Sequence, residues 1–217
     1  MADFYSDAFT GSNGTALSAH TADVGGGYSV DGSFAGDFLL VGDGTIRRNN
    51  TGFELVTKSA VVPPSPNYLV ECVVTLLSAV NRAGFAVRYI DASNFLRWEY
   101  DNADGKYHIV ERVTGGDNDL GNIADALGSP ETISLSIVGQ QATLKKAGVA
   151  IIGPVTVNSA LNLAGSLGPW ARGTLSDDVT GVHLSAARAA IVVPAFTYPQ
   201  LERFHSRGVL RGVVGVH

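Results

Sequence analysis

The fold is decided by residues 83–113: Ala83-Gly84-Phe85-Ala86-Val87-Arg88-Tyr89-Ile90-Asp91-Ala92-Ser93-Asn94-Phe95-Leu96-Arg97-Trp98-Glu99-Tyr100-Asp101, then Asn102-Ala103-Asp104-Gly105, then Lys106-Tyr107-His108-Ile109-Val110-Glu111-Arg112-Val113. Leu96, Trp98 and Tyr100 alternate with Arg97 and Glu99, and Phe85, Val87 and Tyr89 recur at the same period. A period of two places one set of side chains against a core and the other toward water, which is the signature of a half-buried strand. Asp104-Gly105 is a tight-hairpin signal, and Ile90 to Asn94 joins the preceding pair in the same way. The stretch therefore predicts a three-stranded antiparallel meander.

The same alternation extends outward. Thr132-Ile133-Ser134-Leu135-Ser136-Ile137 places three aliphatics on one face and hydroxyls on the other. Further strands are expected near 36–48, 52–62, 67–77, 141–146, 149–152 and 180–193, many of them rich in Val, Ile, Phe or Tyr. Pro63-Pro64-Ser65-Pro66 cannot donate to a ladder and reads as a connection between strands of one domain. Asn118 to Gly128 reads as a loop with at most one helical turn. Many short strands and almost no helix predict an all-β, two-sheet antiparallel jelly-roll sandwich. Its expected extent is residues 1–195. Residues 196–217 differ in character: Phe196, Tyr198, Arg203, Phe204, Arg207 and Arg211 mix apolar and basic groups beyond Pro194. They are expected to form an arm that docks on a neighbouring subunit, making the protein a homo-oligomer.

Composition narrows the classes. The chain has 217 residues, enough to bury a core without disulfide or metal. Its single cysteine, Cys72, lies in the apolar run Tyr68 to Leu77 and reads as a core hydrophobe. A net charge of −5 argues against a nucleic-acid partner, which calls for a basic face. No apolar stretch reaches the roughly 18 residues of a membrane helix, so no membrane partner is expected. Residues 1–9 lack the basic and apolar regions of a secretion signal, so the chain is expected to stay in the cytoplasm where it is made. The 26 glycines fit many tight turns.

The 83–113 meander resembles the central strands of concanavalin A-like (laminin-G-like) jelly rolls, and so do Thr132–Gly139 and Ala142-Thr143-Leu144. The opening, Asp7–Gly11 through Leu17–Gly25, is similar to the first segments of such domains in phage minor tail and other virion proteins. The resemblance covers roughly residues 3–193 and implies a virion structural protein, a capsid decoration or tail accessory. Other virion proteins and glycans would be its partners, with assembly in the host cytoplasm. The alternative it implies is a free-standing carbohydrate-binding lectin-type module, and after that a glycoside hydrolase.

The candidate residues follow. Jelly-roll glycosidases carry alternate carboxylates on one strand, and Glu99, Asp101 and Asp104 come nearest to that pattern. Asp104, however, falls in the Asp-Gly turn, so charge pairing with Arg88, Arg97 or Arg112 is the plainer account and no enzyme is expected. Trp98, Tyr100 and Tyr107 follow the apolar alternation and read as core aromatics. Trp170, in Gly168-Pro169-Trp170, reads as a loop residue and the better exposed aromatic; with Arg97 and Glu99 it forms the candidate glycan site. No cofactor is expected beyond calcium, which the resemblance implies through loop oxygens of Asp91, Asn94, Asp117 and Asp119. The five histidines show no metal-ligand spacing.

Overall fold

A computed structural model describes residues 3–34, 36–48, 54–76, 82–128, 130–173 and 182–192. Sixteen strands are present among them: β1 (Asp3–Asp7), β2 (Thr21–Ala22), β3 (Gly26–Val30), β4 (Phe38–Leu40), β5 (Thr45–Arg48), β6 (Glu54–Ser59), β7 (Tyr68–Leu76) and β8 (Arg82–Asp91). They continue as β9 (Asn94–Asp101), β10 (Lys106–Val113), β11 (Gly116–Ala124), β12 (Glu131–Val138), β13 (Gln141–Lys146), β14 (Val149–Thr156), β15 (Ser166–Arg172) and β16 (Val182–Ile191). One sheet runs β14-β13-β12-β7-β16-β5-β4, with β1 also on β16; the other runs β11-β10-β9-β8-β15-β6-β3-β2. The strand pairs are antiparallel, as the jelly-roll expectation requires. The proline-rich connection leads from β6 in the second sheet to β7 in the first.

The two sheets sandwich one core. Val70, Cys72, Val74, Ile133, Leu135, Ile137 and Leu144 face it from the first sheet. Phe85, Val87, Leu96, Trp98, Tyr100, Tyr107 and Ile109 face it from the second. These are the alternating residues of the sequence, and Cys72 lies among them with its thiol pKa pushed up by burial. The Trp98-Tyr100-Tyr107 set is core, as expected.

Three local readings are corrected. Arg88 adopts φ 48°, and the β8–β9 register shifts between Val87 and Asp91. That bulge turns Tyr89 away from Phe85 and Val87, to the opposite face beside Phe95 and Trp170. Gly116–Ala124 is a strand rather than a loop, paired along β10 at the sheet edge. Much of it is exposed, so it carries no apolar alternation to read. Trp170 lies inside β15, between β8 and β6, and is wholly buried rather than exposed in a loop. Gly168-Pro169 imitates a turn signal, yet Gly168 serves close packing: a Cβ there would collide with the Thr57 carbonyl of β6.

Candidate functional site on the outer face of the second sheet

Alternation leaves the second face of β8, β9, β10 and β15 turned away from the sandwich core. A small apolar cluster lies on it, formed by Val56, Ala86, Tyr89, Phe95 and Trp170 with Phe34 against it. Around that cluster an ionic relay crosses six strands. Trp170 Nε1 donates to Glu54 Oε1 at 2.6 Å, and Arg112 Nη1 donates to Glu54 Oε2 at 2.7 Å. Arg112 grips Asp117 with Nε and Nη2 at 2.7 and 3.1 Å. Arg97 grips the same carboxylate with Nη1 and Nη2 at 3.2 and 3.0 Å. Arg97 Nε then donates to Glu99 Oε2 at 2.5 Å, while Arg82 joins Glu99 Oε1 at 3.2 Å to Asp101 Oδ2 at 2.6 Å.

Elementary electrostatics explains this order. Arg97, Glu99 and Asp101 are almost fully buried, and a buried charge is tolerated only with partners that satisfy it. The pairing is bidentate at Asp117, where planar guanidinium forks match carboxylate geometry. Partial burial works against ionisation of Asp117, but the hydrogen bonds and charges of Arg112 and Arg97 outweigh it and hold its pKa well below the carboxylate range. The Arg97 guanidinium lies 4.6 Å from the Trp170 ring and Arg112 lies 4.9 Å from Phe95, so the aromatics support the cations.

The expected glycan residues do come together here. Trp170, however, is capped by Arg97 and cannot offer a ring to a sugar; it supports the relay from below. Glu99 and Asp101 share this face, as the alternation requires, and both are engaged by arginine. Asp104 lies off the strand in the turn. The four expected calcium ligands each have other partners. Asp91 accepts from Ser93 N and from the Asn94 amide, and Asn94 Oδ1 accepts from Thr114 N. Asp117 is held by arginines, and Asp119 by His108 and Asn122. The docking residues Phe196, Tyr198, Arg203, Phe204, Arg207 and Arg211 lie outside the described residues. Sequence reading did not single out Glu54 or Arg82 as members of this face. Their signal was present only as charges at strand starts, which need the sheet order before they mean anything.

No protein-family model matches the chain, and no curated protein matches it. Solved structures do. The carbohydrate-binding module CBM66 from Bacillus subtilis superposes with a TM-score of 0.55 at 10% identity, over 76% of this chain and 92% of that one. A β-1,3-glucanase from Mycobacterium marinum gives 0.57 at 10% identity, over 88% and 99%. The GH43 BlXynB protein from Bacillus licheniformis gives 0.61 at 14% identity over 88% of this chain, which spans 40% of the length of that protein. At these identities the likeness is one of fold. The molecule is a jelly-roll sandwich of the concanavalin A-like kind, with a polar relay on the outer face of its second sheet.

Proposed function

We propose that the chain is a non-catalytic carbohydrate-binding module of lectin type, holding glycan on the outer face of the second sheet. One observation carries the reading: beside the buried relay stand Arg82, Arg172 and Asp117, with side chains 39%, 40% and 30% exposed. Arg82 and Arg172 offer N–H forks there, Arg172 Nη1 lying 3.9 Å from Asp117 Oδ2, whose lone pairs Arg97 and Arg112 already fill. Sugar hydroxyl oxygens accept from such donors, and the buried relay fixes their positions in advance. The likeness to a carbohydrate-binding module supports the reading at the level of fold.

Against hydrolysis stands the state of the strand carboxylates. A retaining glycosidase needs one carboxyl that keeps a proton and two carboxyls about 5–5.5 Å apart. Glu99 and Asp101 are both engaged by guanidinium groups, so neither presents a free oxygen as nucleophile or proton donor. A glycan array followed by calorimetry tests the proposal. Binding to at least one polysaccharide is expected, weakened about tenfold by Arg172→Ala, with no release of reducing ends. Absence of binding overturns it, and sustained turnover lost in Glu99→Gln installs the hydrolase instead.

The virion setting is a separate proposal, carried by the resemblance of residues 7–25 and by the 196–217 arm as read from sequence. Self-association and particle partners stand on the same ground. Mass spectrometry of purified particles decides it: presence in stoichiometric amount supports the setting, and absence removes it.

A further inference from the structure

One row of charged side chains crosses the outer face of the second sheet from strand to strand. Register sets Glu54 of β6 opposite Arg172 of β15, Arg172 opposite Arg82 of β8, and Arg82 opposite Asp101 of β9. The four are in step with Val56, Trp170, Ala86 and Phe95 and so share their outer face. Two arginines therefore stand side by side in the middle of the row. Like charges directly opposite on neighbouring strands destabilise a sheet unless something answers them.

Arg82 is answered from β9: its Nη1 lies 3.2 Å from Glu99 Oε1 and its Nη2 2.6 Å from Asp101 Oδ2. Arg172 is not. Its cross-strand neighbour Glu54 has both oxygens taken, Oε1 by Trp170 and Oε2 by Arg112. Among the described residues the carboxylate oxygen nearest to Arg172 is Asp117 Oδ2, at 3.9 Å, beyond hydrogen-bonding distance and already bonded by Arg97 and Arg112. The acceptors of this face are spent. Every carboxylate oxygen of Glu54, Glu99, Asp101 and Asp117 accepts a bond, the last of them, Asp101 Oδ1, from Ala103 N. Donors are left over: a guanidinium has five N–H groups, and the side chains of Arg172 and Arg82 are 40% and 39% exposed.

We infer that the glycan held on this face is an acidic polysaccharide, whose carboxylate or sulfate group binds between Arg172 and Arg82. The inference rests on the reading of this face as a glycan site and names the class of sugar it takes. A neutral sugar hydroxyl accepts, but its own O–H must also find an acceptor, and the oxygens here are already bonded. A carboxylate or sulfate only accepts, which is the complement of a face with spent oxygens and free N–H groups. The planar guanidinium fork matches either group with two parallel bonds. An anion between the two arginines also removes the opposition of like charges in the row. Glu99 and Asp101 hold Arg82 in place before the ligand arrives, which lowers the ordering cost of binding.

Calorimetry of the full chain with polygalacturonate, and with the same polymer after carboxyl reduction, tests the inference, because the two differ only in the charged group. Dextran sulfate against dextran forms the sulfate arm. At least one acidic polymer is expected to bind at least about tenfold more tightly than its neutral counterpart, and to weaken as NaCl rises from about 50 to about 500 mM. Arg172→Ala is expected to remove at least about tenfold of that affinity, and Arg172→Lys most of the same, since lysine keeps the charge and loses the fork. Lys145→Ala, on β13 of the other sheet, controls for general attraction of polyanions and is expected to change nothing. Circular dichroism checks that the variants are folded, and the comparison of charged with neutral polymer needs no variant. Equal affinity for both members of each pair, or preference for the neutral one, overturns the inference and leaves the module reading standing. So does acidic-polymer binding weakened no more by Arg172→Ala than by Lys145→Ala. Binding to no polysaccharide, here or on the array, overturns the module reading and this inference with it.

Discussion

Asp117 is the residue on which the outer face turns. It accepts four hydrogen bonds from Arg97 and Arg112 and has no neutral alternative, since a protonated carboxyl cannot accept two bidentate forks. Its pKa is lower in the folded chain than in the unfolded one, so its contribution to stability is complete above the unfolded value, about 3.9. That contribution falls away as pH drops from there through the folded pKa. Asp117→Asn is therefore expected to destabilise the protein at pH 7 and to flatten the acid limb of its stability profile below about pH 4. Urea unfolding at a series of pH values checks this. An acid limb of unchanged slope in the variant would remove Asp117 as the centre of the relay.

At the scale of elements, β8 has no room for a side chain at Gly84, where it runs beside β9. A Cβ on Gly84 would collide with the Trp98 carbonyl and come within 2.8 Å of Glu99 Cα, both of them backbone atoms that cannot swing aside. Gly84→Ala is expected to cost at least about 2 kcal/mol and to lower the melting temperature by about 5 °C; scanning calorimetry measures it. A thermally silent substitution would mean that the two strands can separate freely.

The meander at 83–113 was legible because each of its strands buries one face and wets or charges the other. Even there the bulge at Arg88 was invisible, since an arginine with φ 48° leaves no trace in an alternation pattern. Strand β11 was read as a loop because an edge strand sorts few side chains. Trp170 was misplaced because Gly168-Pro169 has the same letters in a turn as in a closely packed strand. Arg97 and Glu99 were correctly seen as partners on one face. The rest of the relay depends on β6, β10 and β11 lying around them, a matter of sheet order that no local pattern encodes.

For the whole molecule, the consequential feature is the position of the last two strands in chain order among those described. β15 lies between β8 and β6, and β16 lies between β7 and β5. Each sheet is thus completed from its middle by a segment that leaves the ribosome late. Until then β8 and β6, and likewise β7 and β5, present open ladders with no mate, and Glu54 waits for an indole more than a hundred positions away. Long-range closure of this kind is slow. Chains stalled before residue 166 are expected to stay sensitive to protease, and protection should arrive abruptly once residue 191 has emerged; pulse proteolysis of nascent chains of graded length reads this directly. For a β-sandwich whose two halves are zipped by their final strands, birth and folding are separate events, and the interval between them is where aggregation threatens it.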